Sequence, residues 1–308
     1  MKGQGISFFV SGDRYEGNFE NDNQNVLGIW NYASGNTYEG QFKDGNFHGQ
    51  GNFTWKSGNK YEGNFENDIR NGLGNFYYAN GNKYEGHFKD GKFHGQGKYT
   101  WKNGNVLEGN FENDLPSGFG IKTLENGDKY EGHWQGWNLE GLGKFFWKDG
   151  SSFEGNFKKS LFSGFGIRTL VSGDKYEGHW TGSTLEGLGK YLWSNGGRYE
   201  GNFVKSKFNG FGVCYYKEGQ IYAGNWKNDQ KNGLGEMIYN SSQTSARYEG
   251  SWVNGTKSGR GTLIYKDGCK YVGTFDNDFF HGQGLLTYAS RKNTNSPYKY
   301  EGTVHCLC

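Results

Sequence analysis

The sequence predicts an all-β fold, an elongated single-sheet solenoid of sequential antiparallel β-hairpins. Three observations predict it: a Tyr-Glu-Gly triplet that returns every 23 residues, a period of two in the side chains around it, and 55 glycines against 2 prolines in 308 residues. Self-similarity at a fixed period makes one repeat the unit to be explained.

The triplet's first residue stands at Tyr15, Tyr38, Tyr61, Tyr84, Leu107, Tyr130, Phe153, Tyr176, Tyr199 and Tyr222, then at Tyr248, Tyr271 and Tyr300. The two wider gaps, of 26 and 29 residues, contain the polar stretches 240–245 and 291–296, which read as longer hairpin loops. The third position is glycine from Gly17 to Gly302, and the fifth is Phe or Trp from Phe19 to Phe275. A Gly-x-Gly element follows, as in Gly49-Gln50-Gly51, and only Val26-Leu27-Gly28 breaks it.

Within one repeat, Tyr38, Gly40 and Phe42 alternate with polar residues, and so do Gly49, Gly51, Phe53 and Trp55. This is the period of a strand, not the 3.6 of a helix. The polar bends Lys43-Asp44-Gly45-Asn46 and Lys56-Ser57-Gly58-Asn59 tolerate positive φ and separate the strands. A lone hairpin is barely stable in water, so consecutive hairpins must pair edge to edge. Aromatic residues and glycines share one face, which places rings over bare backbone and gives glycine a reason to stand inside strands.

Residues 1–14 fit the second half of a repeat, 15–299 hold twelve tandem repeats, and 300–308 begin another repeat or form a tail. Such a start reads either as a capping strand or as the mark of a fragment of a longer chain.

The pattern Tyr-Glu-Gly-x-Phe/Trp, then Gly-x-Gly, then an aromatic residue and a Gly turn, resembles the MORN repeat over essentially the whole chain. The resemblance implies a curved solenoid of hairpins used in scaffolds, in cytoskeletal and junctional assemblies, and as an appendage to enzymes. Lipid binding is also proposed for the family.

Composition sets independent bounds. With 18% aromatic residues and a mean hydropathy of −0.92, the chain lacks the aliphatic core of a compact domain of its length. Stability has to come from aromatic burial between neighbouring repeats. No apolar run is long enough to span a membrane and the first residues do not form a signal peptide, so a soluble cytoplasmic chain is expected. Cys214, Cys269, Cys306 and Cys308 show neither a disulfide framework nor zinc spacing, so reduced thiols are expected. The ending Cys306-Leu307-Cys308 resembles a doubly prenylated tail, against the plainer reading of ordinary thiols.

A longer period is superposed, with Glu-Gly-Asn-Phe at Glu16, Glu62, Glu108, Glu154 and Glu200 and Glu-Gly-His or Glu-Gly-Gln between them. Alternate repeats stand about 19 Å apart, at about 4.8 Å per strand. That spacing excludes a metal site of His87, His133 and His179, since ligands must lie within about 2 to 2.5 Å of one ion. The recurring glutamate offers one environment many times over, where paired acid–base carboxylates need two. Its expected role is cross-strand pairing with Lys and Asn. No helix follows any Gly-x-Gly, so these are not phosphate loops. No catalytic residue, metal or cofactor is predicted, and the chain reads as no enzyme.

Where repeats differ is where a partner would be read. The middle residue of Gly-x-Gly is apolar in Phe119, Leu142, Phe165, Leu188, Phe211 and Leu234, a candidate partner-binding stripe facing away from the Tyr-Gly-Phe side. The competing reading is that a twisted sheet wraps this stripe into its own packing. Beside it, Ile121, Ile167 and Val213 alternate with Lys144 and Lys190, a mixed lining suited to a peptide or helix. Lys122 and Arg168 stand at inward aromatic positions and are expected to stack on neighbouring rings such as Phe145.

A net charge of +2 with interspersed signs predicts weak or no phospholipid binding and no nucleic acid. The function this favours is a non-catalytic scaffold or adaptor that docks protein partners along its length, self-associating through exposed terminal strands, in a cytoskeletal or membrane-associated assembly. The alternative is a membrane-targeting or regulatory module of a larger protein such as a phosphatidylinositol phosphate kinase.

Overall fold

The computed structural model describes residues 2–288 and 299–304, and every regular element among them is a β-strand, from Gly3–Phe8 to Lys299–Val304. The loop at 291–296 and the Cys306-Leu307-Cys308 ending lie outside the described residues. The chain divides into two compact units, residues 1–149 with 157–160, and residues 150–156 with 161–308. In the first, each strand from Gly3–Phe8 to Asn138–Phe146 pairs antiparallel with the next in sequence. In the second, the same holds from Leu161–Thr169 to Lys299–Val304. Each unit is therefore an open meander of hairpins.

Strands Thr37–Lys43 and Asn46–Thr54 illustrate one repeat. They are joined at Asp44 and Gly45, with φ of 50° and 87°, a mirror-image turn whose twist matches that of the strands. The bend read as Lys43–Asn46 thus narrows to its two central residues, and Phe47 joins the second strand. Gly40 faces Gly51 while Phe42 faces Phe47, so the residues between Phe47 and Gly51 outnumber the one between Gly40 and Phe42. This bulge bends the sheet at Gly49, whose φ of 61° suits glycine.

The bend lets a ring cover the glycines. Tyr38 is fully buried, and a Cβ on Gly51 would stand 2.4 Å from its Oη. Its hydroxyl donates to the Gln41 carbonyl at 2.7 Å, satisfying a group that the bulge leaves out of the ladder. Phe47 stacks on Tyr38 at 3.7 Å and 12°, and Phe65 of the next repeat meets the same ring edge-on at 5.2 Å. The sequence expectation of rings over glycine holds here, and aromatic geometry supplies about 0.5–1.5 kcal/mol per pair beyond burial.

Tyr130 and Tyr176 depart from the expectation. Leu139 and Leu185 take the place over the glycines, with a Cδ1 3.0 Å from a Cβ built on Gly132 and 2.9 Å from one on Gly178. The displaced rings pack edge-on against Phe145 and Tyr191, each at 4.4 Å. The indoles of Trp134 and Trp180 donate to the Gly120 and Gly166 carbonyls, both at 2.9 Å, and those of Trp226 and Trp252 to the Gly212 and Gly235 carbonyls, both at 3.2 Å.

Side-chain ladders tie successive repeats along both margins of the hairpins. Carbonyl oxygens of Asn36, Asn59 and Asn82 accept from the amides of Lys56, Ala79 and Lys102, each at 2.9 Å. At the other margin Asp68 and Asp114 accept from the Phe47 and Phe93 amides at 2.7 and 2.8 Å.

Candidate docking face

The rings occupy one face of each sheet, so the opposite face carries the Glu of the triplet and the middle residue of Gly-x-Gly. In the first unit Phe119 and Leu142 are 53% and 71% exposed; in the second Phe165, Leu188, Phe211 and Leu234 are 48%, 78%, 63% and 68% exposed. These residues are not drawn into the core, because the bend that brings Tyr over glycine points the intervening residue outward. Leu27 and Leu73 extend the same exposed position in the first unit.

Phe119, Phe165, Leu188, Phe211 and Leu234 each stand across from the residue that follows the next triplet's glycine. Phe119 faces His133 and Phe165 faces His179, and both ring pairs meet edge-on at 6.1 Å. His87 stands instead across from Leu73 and hydrogen-bonds the Gln96 carbonyl at 3.4 Å.

The triplet glutamates Glu16, Glu62, Glu85, Glu200 and Glu249 are held by cations two residues earlier in the same strand. Glu85 pairs with Lys83 at 2.7 Å, Glu200 with Arg198 at 3.0 Å, and Glu62 with Lys60. Across strands, Lys98 reaches Glu108 at 3.1 Å.

On this face the bare glycine backbone forms the floor of grooves. One in the first unit, of about 850 Å³, runs from Gln4 to Asn52 over Gly17, Gly28 and Gly40. Another, of about 630 Å³, lies beside Phe119 and Ile121. A third, of about 910 Å³ and wholly in the second unit, is lined by Phe211, Leu234, Val272 and Arg260 over Gly224, Gly235, Gly250 and Gly261.

The aromatic face holds cations that the motif reading overlooked. Ten residues into the repeat, where Phe47, Phe93 and Phe208 stack on Tyr, stand Arg70, Lys231 and Lys257. The Arg70 guanidinium lies 5.1 to 5.7 Å from the rings of Trp55, Tyr61, Phe76 and Phe88. Lys231 lies 4.6 Å from Trp252 and 5.3 Å from Tyr222. Burial lowers the pKa of both side chains. The sign of their presence in the sequence was a cation in a column otherwise rich in Phe. Lys122 does stack on rings, but on Trp101 at 4.7 Å and Trp134 at 6.0 Å and not on Phe145, because pairing sets it between a preceding and a following repeat.

Cys214 is buried and its thiol is pushed up to about 11 by that burial. Among the described residues no three His, Cys, Asp or Glu side chains are grouped so as to hold a metal ion.

The repeat geometry coincides with a family description. The MORN repeat matches twelve stretches in succession, from 15–37 to 271–291. The chain belongs to the MORN repeat family. MORN repeats are in general modules for interaction with proteins or membranes. No curated protein matches the chain.

Among solved structures, the G-box domain of the microcephaly protein CPAP is 10% identical, with 73% of this chain and 100% of that one covered and a TM-score of 0.24. The SAS-4 (dCPAP) TCP domain of Drosophila melanogaster, in complex with a proline-rich motif of Ana2, is 12% identical over 68% of this chain and 85% of that one, TM-score 0.19. Virginiamycin B lyase from Staphylococcus aureus is 12% identical over 90% and 84%, TM-score 0.14. At these scores the likenesses carry no argument about the MORN repeats of this chain.

Proposed function

We propose that this chain is a non-catalytic scaffold or adaptor that docks protein partners on the outer face of its MORN hairpins, in a cytoplasmic assembly of cytoskeletal or membrane-associated character. The observation that supports it is the exposed stripe, Phe119 and Leu142 in one unit and Phe165 to Leu234 in the other, beside grooves floored by glycine. Large apolar side chains grouped on a surface are the usual signature of an interaction site, and the fold does not need them where they stand. Acidic and basic groups alternate on the same face and neutralise one another in pairs such as Lys98–Glu108, which favours a protein over an anionic membrane. Cys214 and Cys269 are free thiols, in keeping with a reducing compartment.

A photo-crosslinking residue placed at Leu188 and, separately, at Phe211 in the cells that make the protein tests this reading. The expected result is the same protein adduct from both positions. Adducts to lipid alone, or no adduct at either, would overturn it.

A further inference from the structure

The groove of the second unit is lined by two glutamates, Glu236 and Glu249, as its counterparts also have two, and differs in the residues around them. Glu16 and Glu39 line the groove nearest the start of the chain, and Glu85 and Glu108 the one beside Phe119. In the second unit Ala223 and Val272 stand where the triplet otherwise has glutamate, and both line its groove. Arg260 occupies the position that Phe211 and Leu234 hold in the preceding repeats.

The carboxylates that remain are already engaged. Arg247 binds Glu236 at 2.6 Å and Glu249 at 3.0 Å. The exposed Arg260 guanidinium makes no ion pair or hydrogen bond among the described residues. The wall thus lacks a carboxylate at 223 and 272 and carries one unengaged cation beside its two ion-paired glutamates.

We propose that this groove takes an acidic, apolar peptide segment of a partner protein, a proposal that rests on the docking reading above. Its apolar side chains lie against Phe211, Leu234 and Val272, which are 63%, 68% and 41% exposed. Its carboxylate receives the paired N–H groups of Arg260, for which a planar guanidinium is suited. Leu234 and Arg260 belong to consecutive hairpins, two strands apart, so the carboxylate follows the apolar contact by about 10 Å along the groove. Glutamate at 223 or 272 would repel such a segment, and the chain has neither.

Selection of random displayed peptides by the full chain tests the proposal. The wild type is expected to enrich peptides carrying Asp or Glu beside apolar residues. A synthetic copy of an enriched peptide should lose at least about tenfold in affinity on Arg260→Gln, and should weaken on Val272→Glu, with the β-sheet spectrum unchanged in both. Arg260→Glu should select peptides bearing Lys or Arg instead. Enriched peptides without acidic residues, or with affinity indifferent to Arg260→Gln, would overturn the proposal and leave the docking reading standing. Binding to phosphatidylserine vesicles that depends on Arg260, with no acidic peptide enriched, would overturn it in favour of a lipid headgroup. No enrichment together with no crosslinks at Leu188 and Phe211 would overturn both.

Discussion

The Phe208 ring stacks on the Tyr199 ring at 3.8 Å and 11° from parallel, closing the core of its repeat from above. Three residues later Phe211 points to the other side of the sheet and stays 63% exposed. Two phenylalanines in one strand therefore serve opposite ends, and the sheet separates a face that holds the fold together from a face that does not.

The glycines under the rings are expected to be intolerant of even one methyl group. A Cβ on Gly51 would stand 2.4 Å from Tyr38 Oη, and one on Gly74 2.5 Å from Tyr61 Oη. Gly74→Ala should cost about 1–3 kcal/mol from overpacking, measured by urea denaturation. An unchanged midpoint would mean that the ring does not rest there.

The ring hydroxyls have a separate role. Tyr61 donates to the Asn64 carbonyl at 2.8 Å across the bulge. Tyr61→Phe keeps the packing and removes that bond, so a loss of about 0.5–1.5 kcal/mol is expected by the same measurement.

Alkaline pH should unfold the protein before it affects an ordinary globule. Burial raises the Tyr15 and Tyr78 phenols from 10.0 to about 12, and it raises Tyr61, Tyr84 and Tyr199 as well. A phenol raised in the fold contributes stability that is fully present below pH 10 and is lost as pH rises toward the folded value. Cooperative unfolding accompanied by phenolate absorbance is expected between about pH 10 and 12. Gradual titration of the rings near pH 10 without unfolding would contradict their burial.

Lys231 works in the reverse sense. Burial depresses its pKa, so its charged form burdens the fold, and its contribution improves as pH rises from the depressed value toward 10.5. Lys231→Met preserves the stem among Tyr222 and Trp252 and should leave stability at neutral pH equal or higher, whereas Lys231→Ala should cost about 2 kcal/mol in lost packing. Thermal melts of both variants check this, and a large loss in the Met variant would show that cation–ring attraction outweighs desolvation.

The strand period, the hairpin unit and the rings over glycine were legible in the sequence because each repeats at a fixed spacing. Phe47 and its equivalents were not, because the bulge at Gly49 interposes extra residues between Phe47 and Gly51 and makes the start of the strand look like part of a bend. The handover from Tyr130 to Leu139 escaped for a related reason: both residues are apolar and inward in the pattern, and only packing decides which covers Gly132. Outward direction of the stripe followed from alternation, but its exposure depended on the bend, which alternation alone does not fix.

The most direct test of the account replaces Phe165, Leu188 and Phe211 together by Ser, with Phe208→Ala as the comparison, and measures urea denaturation and pull-down of the partner identified by crosslinking for each. The account predicts that the triple variant keeps its stability to within about 0.5 kcal/mol per site and loses the partner, while Phe208→Ala loses about 3–5 kcal/mol. A triple variant that unfolds as readily as Phe208→Ala would place the stripe in the core and contradict the account.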